Sequence, residues 1–374
     1  MKIAMIGQKQ VPSRKGGIEV AVEALSVRMA QKGHEVTLYN CCRCCKEEKK
    51  KKSRKWDYRG VHICEIPVVN VRGVSAVLGS LLGTFFAAGG RYDCIHYHGE
   101  GPAAMTLFTR LLGIRTVVTI HGLDWQRSKW GRFASWYLKH GEKTAAACAD
   151  EIIVLSRAMQ RYFWETYGRH TVLVPNGIEK PVKRKAERIL KQWSLQKDSY
   201  ILYLGRIVPE KGLENLLESF SKVRTEKKLV IAGAPSDTES FYKKLQEMAK
   251  PDSRVLFTGF VEGEVLDELY SNSYLYCLPS DVEGMPISLL EAMSYGNCCL
   301  CSDIPECTEV LGQYGFFFRK GDGEDLCHML QRLCREPDLI ECSRSQVSEY
   351  VCENYNWDET VRKTLMLYAE GADH

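Results

Sequence analysis

Tyr200-Ile201-Leu202-Tyr203-Leu204-Gly205-Arg206-Ile207-Val208-Pro209-Glu210-Lys211-Gly212 is a short apolar, β-rich run that breaks at a glycine into a charged loop closed by a second glycine. A helical segment follows, so the stretch reads as strand, turn and helix of a parallel α/β sheet. Arg206 offers a planar fork and Lys211 a point charge, a pair suited to a diphosphate on which negative charge grows. On an ordinary turn the same two residues would be solvated charge. Their place at a strand's carboxyl end, where open α/β sheets bind ligands, favours the binding reading.

Working outward, residues 228–232, 255–258 and 274–278 read as further strands of the same unit. Upstream, residues 179–199 are highly charged and read as a linker. Before them the alternation has already run once, through apolar segments at 2–6, 36–39, 94–97, 116–120, 151–155 and 172–174. Helices are expected between these strands. The clearest covers residues 18–31, with Val22, Leu25 and Met29 on one face and Gly33 just past its end. A chain of 374 residues is also long enough to split into two cores. The expected organisation is an N-terminal Rossmann-like domain at 1–180, completed by a C-terminal helix at 356–374, and a second Rossmann-like domain at 181–355.

The composition, 45% hydrophobic and 26% charged, is that of an ordinary globular protein. Net charge is +4, yet the segment from Arg43 to Lys55 alone holds eight basic and two acidic residues. The remainder is nearly neutral, which argues against nucleic acid as a partner. The local basic loop is either solvated or drawn to an anionic membrane surface. The chain starts directly in a strand without a signal-peptide pattern, so a cytoplasmic protein is expected, with peripheral attachment to the inner membrane face as an option. Residues 74–90 are strongly apolar but carry four glycines; they read as a buried helix that could also lie near a membrane. Most of the sixteen cysteines are expected to be reduced and buried. The cluster Cys41, Cys42, Cys44 and Cys45 lacks the spacing of a tetrahedral metal site.

Two more loops carry chemistry. Residues 8–17 link a strand to a helix and end in Gly16-Gly17 beside Arg14 and Lys15, a loop able to bring backbone N–H groups to an anion. The dinucleotide fingerprint G-x-G-x-x-G is absent, and no cofactor is expected. In Glu283-Gly284-Met285-Pro286-Ile287-Ser288-Leu289-Leu290-Glu291, Pro286 fits the start of a helix, with Glu283 in the loop before it and Glu291 about one and a half turns along. Two carboxylates also raise glycoside hydrolysis, which would not need the Arg206/Lys211 pair. Cysteine–histidine catalysis has no recognisable local signature here.

Taken together, Pro12-Ser13-Arg14-Lys15-Gly16-Gly17-Ile18-Glu19, His121-Gly122-Leu123-Asp124-Trp125-Gln126-Arg127-Ser128-Lys129-Trp130, Pro175-Asn176-Gly177-Ile178, the Arg206/Lys211 loop and the Glu283/Glu291 motif resemble glycosyltransferase family 4, in particular its bacterial rhamnosyltransferase-like branch. The resemblance implies an α/β fold of the GT-B type, two Rossmann-like domains facing each other across a cleft. It implies a retaining, metal-independent hexosyltransferase with a nucleoside-diphosphate sugar as donor.

By the same resemblance, Arg206 and Lys211 would stabilise the diphosphate, Glu283 would contact the donor sugar and Glu291 the ribose. Gly16, Gly17, Asn176 and Gly284 would complete the donor site. His121 would lie near the transferred sugar, its competing role being a core or capping histidine. Asp124, Trp125, Arg127, Lys129 and Trp130 would shape the acceptor side, although packing explains the tryptophans too. The branch implies dTDP-L-rhamnose as donor, with UDP-hexoses as competitors, and a lipid-linked saccharide as acceptor in capsule or other surface-polysaccharide biosynthesis. Other readings on the same fold are a sugar-nucleotide epimerase, a phosphorylase or a non-catalytic carbohydrate-binding protein.

Overall fold

The computed structural model describes residues 1–43, 55–68, 74–126, 131–236 and 238–369. The chain divides into two units, Met1–Gly177 with Trp357–His374, and Ile178–Asn356. The first unit begins β1 (Lys2–Ile6), α1 (Gly17–Gln31), β2 (Glu35–Arg43), β3 (Lys55–Tyr58), β4 (Val61–Val68) and α2 (Val74–Ala88). It continues through β5 (Cys94–His98), α3 (Glu100–Ala103), α4 (Thr106–Leu111), β6 (Thr116–Ile120), α5 (Arg132–Cys148), β7 (Glu151–Val154), α6 (Arg157–Tyr167) and β8 (Val172–Leu173).

The second unit holds α7 (Arg188–Trp193), β9 (Tyr200–Leu204), α8 (Leu213–Lys222), β10 (Lys228–Ala232), α9 (Glu239–Ala249), β11 (Val255–Gly259) and α10 (Glu264–Asn272). After these come β12 (Leu275–Leu278), α11 (Ile287–Ser294), β13 (Cys299–Ser302), α12 (Pro305–Leu311), β14 (Phe316–Phe318), α13 (Gly323–Arg335) and α14 (Pro337–Asn354). The last helix, α15 (Trp357–Ala369), belongs to the first unit, where it packs against α1.

Each unit is a doubly wound sheet, as the alternating pattern predicts. The first orders its strands β3-β4-β2-β1-β5-β6-β7-β8, parallel except for β3, which runs antiparallel to β4. The second orders them β11-β10-β9-β12-β13-β14, all parallel. Helices shield both faces of such a sheet, so its strands are apolar throughout. Residues 200–203 of β9 are fully buried, as are Leu229 to Ala232 of β10. Cysteine fills the same need as a small apolar residue: Cys277, Cys299 and Cys301 lie buried on β12 and β13, and burial pushes their thiols up. Thirteen of the cysteines are free, seven of them buried.

Strand order reverses at one point in each sheet, between β1 and β5 and between β9 and β12. Loops leaving the two central strands diverge there and open a crevice at the carboxyl ends. The apolar segment at 74–90 departs from expectation in one respect. It forms α2, but only one side is buried; Phe85 and Phe86 on the other are 55% and 50% exposed. A helix lying on a sheet has one inner face, and α2 spends its glycines there: Gly83 stands against Ile66, Ile6 and Tyr39. Among the described residues no helix is long and apolar enough to cross a membrane.

Candidate active site

At the reversal point of the second unit, the loop after β9 meets the loop after β12. Residues 209–211 form a single 3-10 turn, and Gly212 ends it with φ +66, starting α8 from a left-handed conformation. A Cβ at Gly212 would lie 2.0 Å from the carbonyl oxygen of Pro279, so only glycine permits this backbone approach. The Asp281 N–H donates to the Glu210 carbonyl at 2.9 Å and ties the loops further. Lys211 Nζ is thereby brought onto Glu283 Oε1, which also accepts from Ser280 Oγ at 2.7 Å. The two charged side chains are only 11% and 9% exposed.

Arg206 stands half-buried earlier in the same loop, its carbonyl accepting from the Tyr203 hydroxyl at 2.9 Å. α11 starts at Ile287 after Pro286, in the loop that follows β12, with no side-chain cap on its first N–H groups. Glu291 on α11 accepts from the Tyr270 hydroxyl at 3.0 Å, while Ser288 Oγ and the Tyr276 hydroxyl lie 2.9 Å apart. Gly284 is buried in the loop between. Chemically this is a cationic, donor-rich mouth with two carboxylates. An ammonium with three protons can keep Glu283 and still offer N–H bonds to a phosphate. Tyr270 and Tyr276 were not singled out from sequence, because their strand and helix positions read as core.

The first unit has its own reversal point. Gly7, at φ +126, ends β1 so close to β5 that a Cβ would lie 2.2 Å from the His98 carbonyl oxygen. The loop at 8–16 is pinned by Asn40 of β2, whose side chain donates to the Val11 carbonyl at 2.8 Å and accepts from its N–H at 3.1 Å. Gly16 caps α1 and Gly17 is its first residue. The Glu19 carboxylate folds back over this terminus and accepts from Lys9 N–H at 3.2 Å, so α1 already has an anion of its own.

His121, directly after β6, has a partner that sequence reading missed. His98 Nδ1 lies 3.1 Å from His121 Nε2, and the His96 ring centre lies 4.1 Å from that of His98, the planes tilted by 35°. His96 is itself held by Thr119 Oγ1 at 2.7 Å and the Tyr368 hydroxyl at 2.6 Å. Burial keeps all three rings neutral: His96 is pushed down to about 3, His121 down to about 4, and His98 well below its ordinary value. The period of two along β5 places His96 and His98 on one face, a signal that was available in the sequence.

Asp124 and Trp125 fall in a short 3-10 turn at Asp124–Gln126. The Trp125 indole N–H donates inward to Glu142 Oε2 at 3.1 Å, and Lys139 Nζ sits 4.5 Å over its ring. Fully buried Glu142 also accepts from the hydroxyls of Tyr162 and Tyr167 at 2.7 and 2.6 Å. Neighbouring Glu100 is buried too; burial first, then the charges of Asp124 and Glu142, push its carboxyl up to about 10. Arg127, Lys129 and Trp130 lie outside the described residues, as do residues 44–54 of the basic loop. Asn176 is buried after β8, beside Pro175, whose carbonyl accepts from Thr360 of α15. Among the described residues no group of three His, Cys, Asp or Glu could hold a metal ion.

Residues 15–180 match the model of Glycosyltransferase Family 4, and residues 185–363 that of Glycosyl transferases group 1. The O-antigen chain mannosyltransferase B of Escherichia coli is 28% identical over 185 residues, 48% of this chain and 48% of its own. The chain spans about half the length of the curated relatives it matches. Among solved structures, sucrose-phosphate synthase from Thermosynechococcus elongatus superposes with a TM-score of 0.84 at 20% identity, covering 99% of this chain and 98% of that one. Anabaena HepE in complex with UDP-glucose reaches 0.78 at 16% identity, with 98% of each chain covered.

Proposed function

We infer that this chain, a GT-B glycosyltransferase by the family of each half and by its fold, moves a sugar from a nucleoside-diphosphate donor to an acceptor hydroxyl with retention of configuration. The observation that carries the reading is the clasp of Lys211 and Glu283 at the reversal point of the second sheet. A diphosphate leaving group gains negative charge as the sugar departs. Arg206, Lys211 and the N–H groups of α11 are the means of meeting it. Glu283 faces the sugar and Glu291 the ribose; Gly284 lets the donor approach the backbone.

In the first unit Gly16 and Gly17 approach the donor, Asn176 supports it, and the neutral His121 stands by the transferred sugar. With no dedicated base in view, the departing phosphate accepts the acceptor's proton on the front face. The first choice of donor is dTDP-L-rhamnose, because the Gly16-Gly17 loop and the His121–Trp125 segment resemble that branch. UDP-hexoses are the competitor, supported by the likeness to HepE with UDP-glucose. A lipid-linked saccharide at the inner membrane face is the acceptor, supported by the similarity to an O-antigen mannosyltransferase. Asp124 and Trp125 border it, with Arg127, Lys129 and Trp130 continuing the same segment.

Offering dTDP-L-rhamnose, UDP-hexoses and a mannose donor against lipid-linked acceptors, with mass detection, tests the reading; transfer from none of them refutes it. Glu291→Ala is expected to raise the donor's KM about 10-fold with kcat nearly kept, because a ribose contact exists before and during the chemical step. Loss confined to kcat would contradict the ribose role. EDTA is expected to leave transfer intact, since cationic side chains and N–H groups serve the diphosphate. Loss restored by magnesium or manganese would overturn that.

A further inference from the structure

Helices α2, α3 and α5 place Ala87, Ala103 and Ala145 in one core cluster against the first sheet, with Met105 at the start of α4 packed on it. Their inner faces therefore share one side of the sheet, and their outer faces look out together. Those outer faces are unusually apolar. Among the described residues, eight of the fourteen exposed large hydrophobic ones belong to α2, to α5 or to α4 with its C-cap Leu112. Phe133 and Trp136 on α5 are 78% and 61% exposed, and Leu111 on α4 is 77% exposed. Phe85 of α2 lies 5.0 Å from the ring of Phe108 on α4, so the α2 and α4 portions join.

The charge on this layer has one sign. α2 carries no charged residue, α4 exposes Arg110, and α5 exposes Arg132, Lys139 and Lys143. The single acid of the three helices, Glu142, is fully buried and bonded to Trp125, Tyr162 and Tyr167. On α5 the sequence 132, 136, 139, 143 follows helical spacing, making a stripe of cation and aromatic residues. That stripe reaches the Asp124–Trp125 turn, where Lys139 covers the indole ring.

We propose that the outer faces of α2, α4 and α5 dock the protein on an anionic lipid bilayer, with Phe133 and Trp136 entering the headgroup boundary. Exposed aromatic and leucine side chains recover burial there, and cations beside them meet the lipid charge. A second copy of the chain would bring like charges together across the same face, which the bilayer does not. The proposal rests on the lipid-linked acceptor reading and adds the surface that would present that acceptor to the Asp124–Trp125 turn.

The test uses the whole protein and vesicles of phosphatidylcholine with or without phosphatidylglycerol, at low and high salt, with neither donor nor acceptor present. Expected is salt-sensitive co-sedimentation with anionic vesicles only. Phe133→Ser with Trp136→Ser should weaken it about 10-fold or more, as should Arg132→Glu with Lys143→Glu. Circular dichroism confirms folding, which these exposed positions allow. Absence of binding overturns the proposal, as does undiminished binding by both double variants with loss only on replacing Lys49 to Lys52 by Ser. A dimer seen by light scattering and broken by Phe133→Ser with Trp136→Ser would assign the face to a second copy instead. Failure of the transferase reading looks different: vesicle binding intact, and no transfer from any nucleotide sugar.

Discussion

Lys211→Ala is expected to lower sugar transfer by about 100-fold or more, because one preorganised charge aimed at a developing anion is worth ~3 kcal/mol in the transition state. The structure adds a complication. Lys211 is clasped to Glu283, and both side chains are almost buried, so removing the cation takes the ammonium away from a nearly buried carboxylate that also accepts from the Ser280 hydroxyl. Breaking a buried pair costs ~3–5 kcal/mol, enough to mimic a catalytic defect by unfolding the second unit. The double variant Lys211→Met/Glu283→Gln separates the two effects, since it leaves no charge behind. Its thermal stability should return toward that of the parent while transfer stays low. Recovery of transfer together with stability would make Lys211 a structural clasp and remove it from the chemistry. Glu283→Gln alone keeps the ammonium and should lose less than Lys211→Ala.

How far such a site can be read from sequence depends on whether its chemistry is local. The Arg206/Lys211 loop was legible because glycines at both ends and a buried apolar strand before it fix its place at a sheet edge. β9 was legible for the same reason: a strand covered on both faces must be apolar throughout. Val61–Val68 and Cys299–Ser302 were passed over. The first follows the basic insert and contains His62 and Glu65; the second is half cysteine, a residue with a weak strand signal. Partners joined only by the fold were illegible. Asn40 grips Val11 from 29 residues away, and Glu142 gathers three donors from two other segments, so neither has a neighbour in sequence that betrays its work. His98 lies between these cases, since the spacing on β5 pairs it with His96, while His121 comes from the next strand.

That histidine group predicts a steep acid sensitivity of the first unit. In the unfolded chain each ring takes up a proton near pH 6.5. In the fold His96 and His121 resist until about 3 and about 4, and His98 is held down in the same direction. Between those limits the unfolded state binds more protons, so stability is full above pH 6.5 and falls as pH drops toward 4. At ~1.4 kcal/mol per unit, a fully buried ring such as His96 contributes a loss on the order of 3 kcal/mol by pH 4, and the half-open His121 less. Glu100 works against them. Its carboxyl stays protonated in the fold up to about 10 but ionises above about 4.5 when unfolded, so acid relieves a cost there. Three rings against one carboxyl leave a net loss of stability as pH falls. Urea midpoints at pH 7 and pH 4.5, with hydrogen exchange of the β5 and β6 amides to assign the change to the first unit, measure it. His98→Gln, which can still hydrogen-bond His121 but does not titrate here, should flatten the dependence. Equal midpoints at the two pH values would mean that the rings are not held neutral, and His121 would then reach its substrate as an ordinary titrating imidazole.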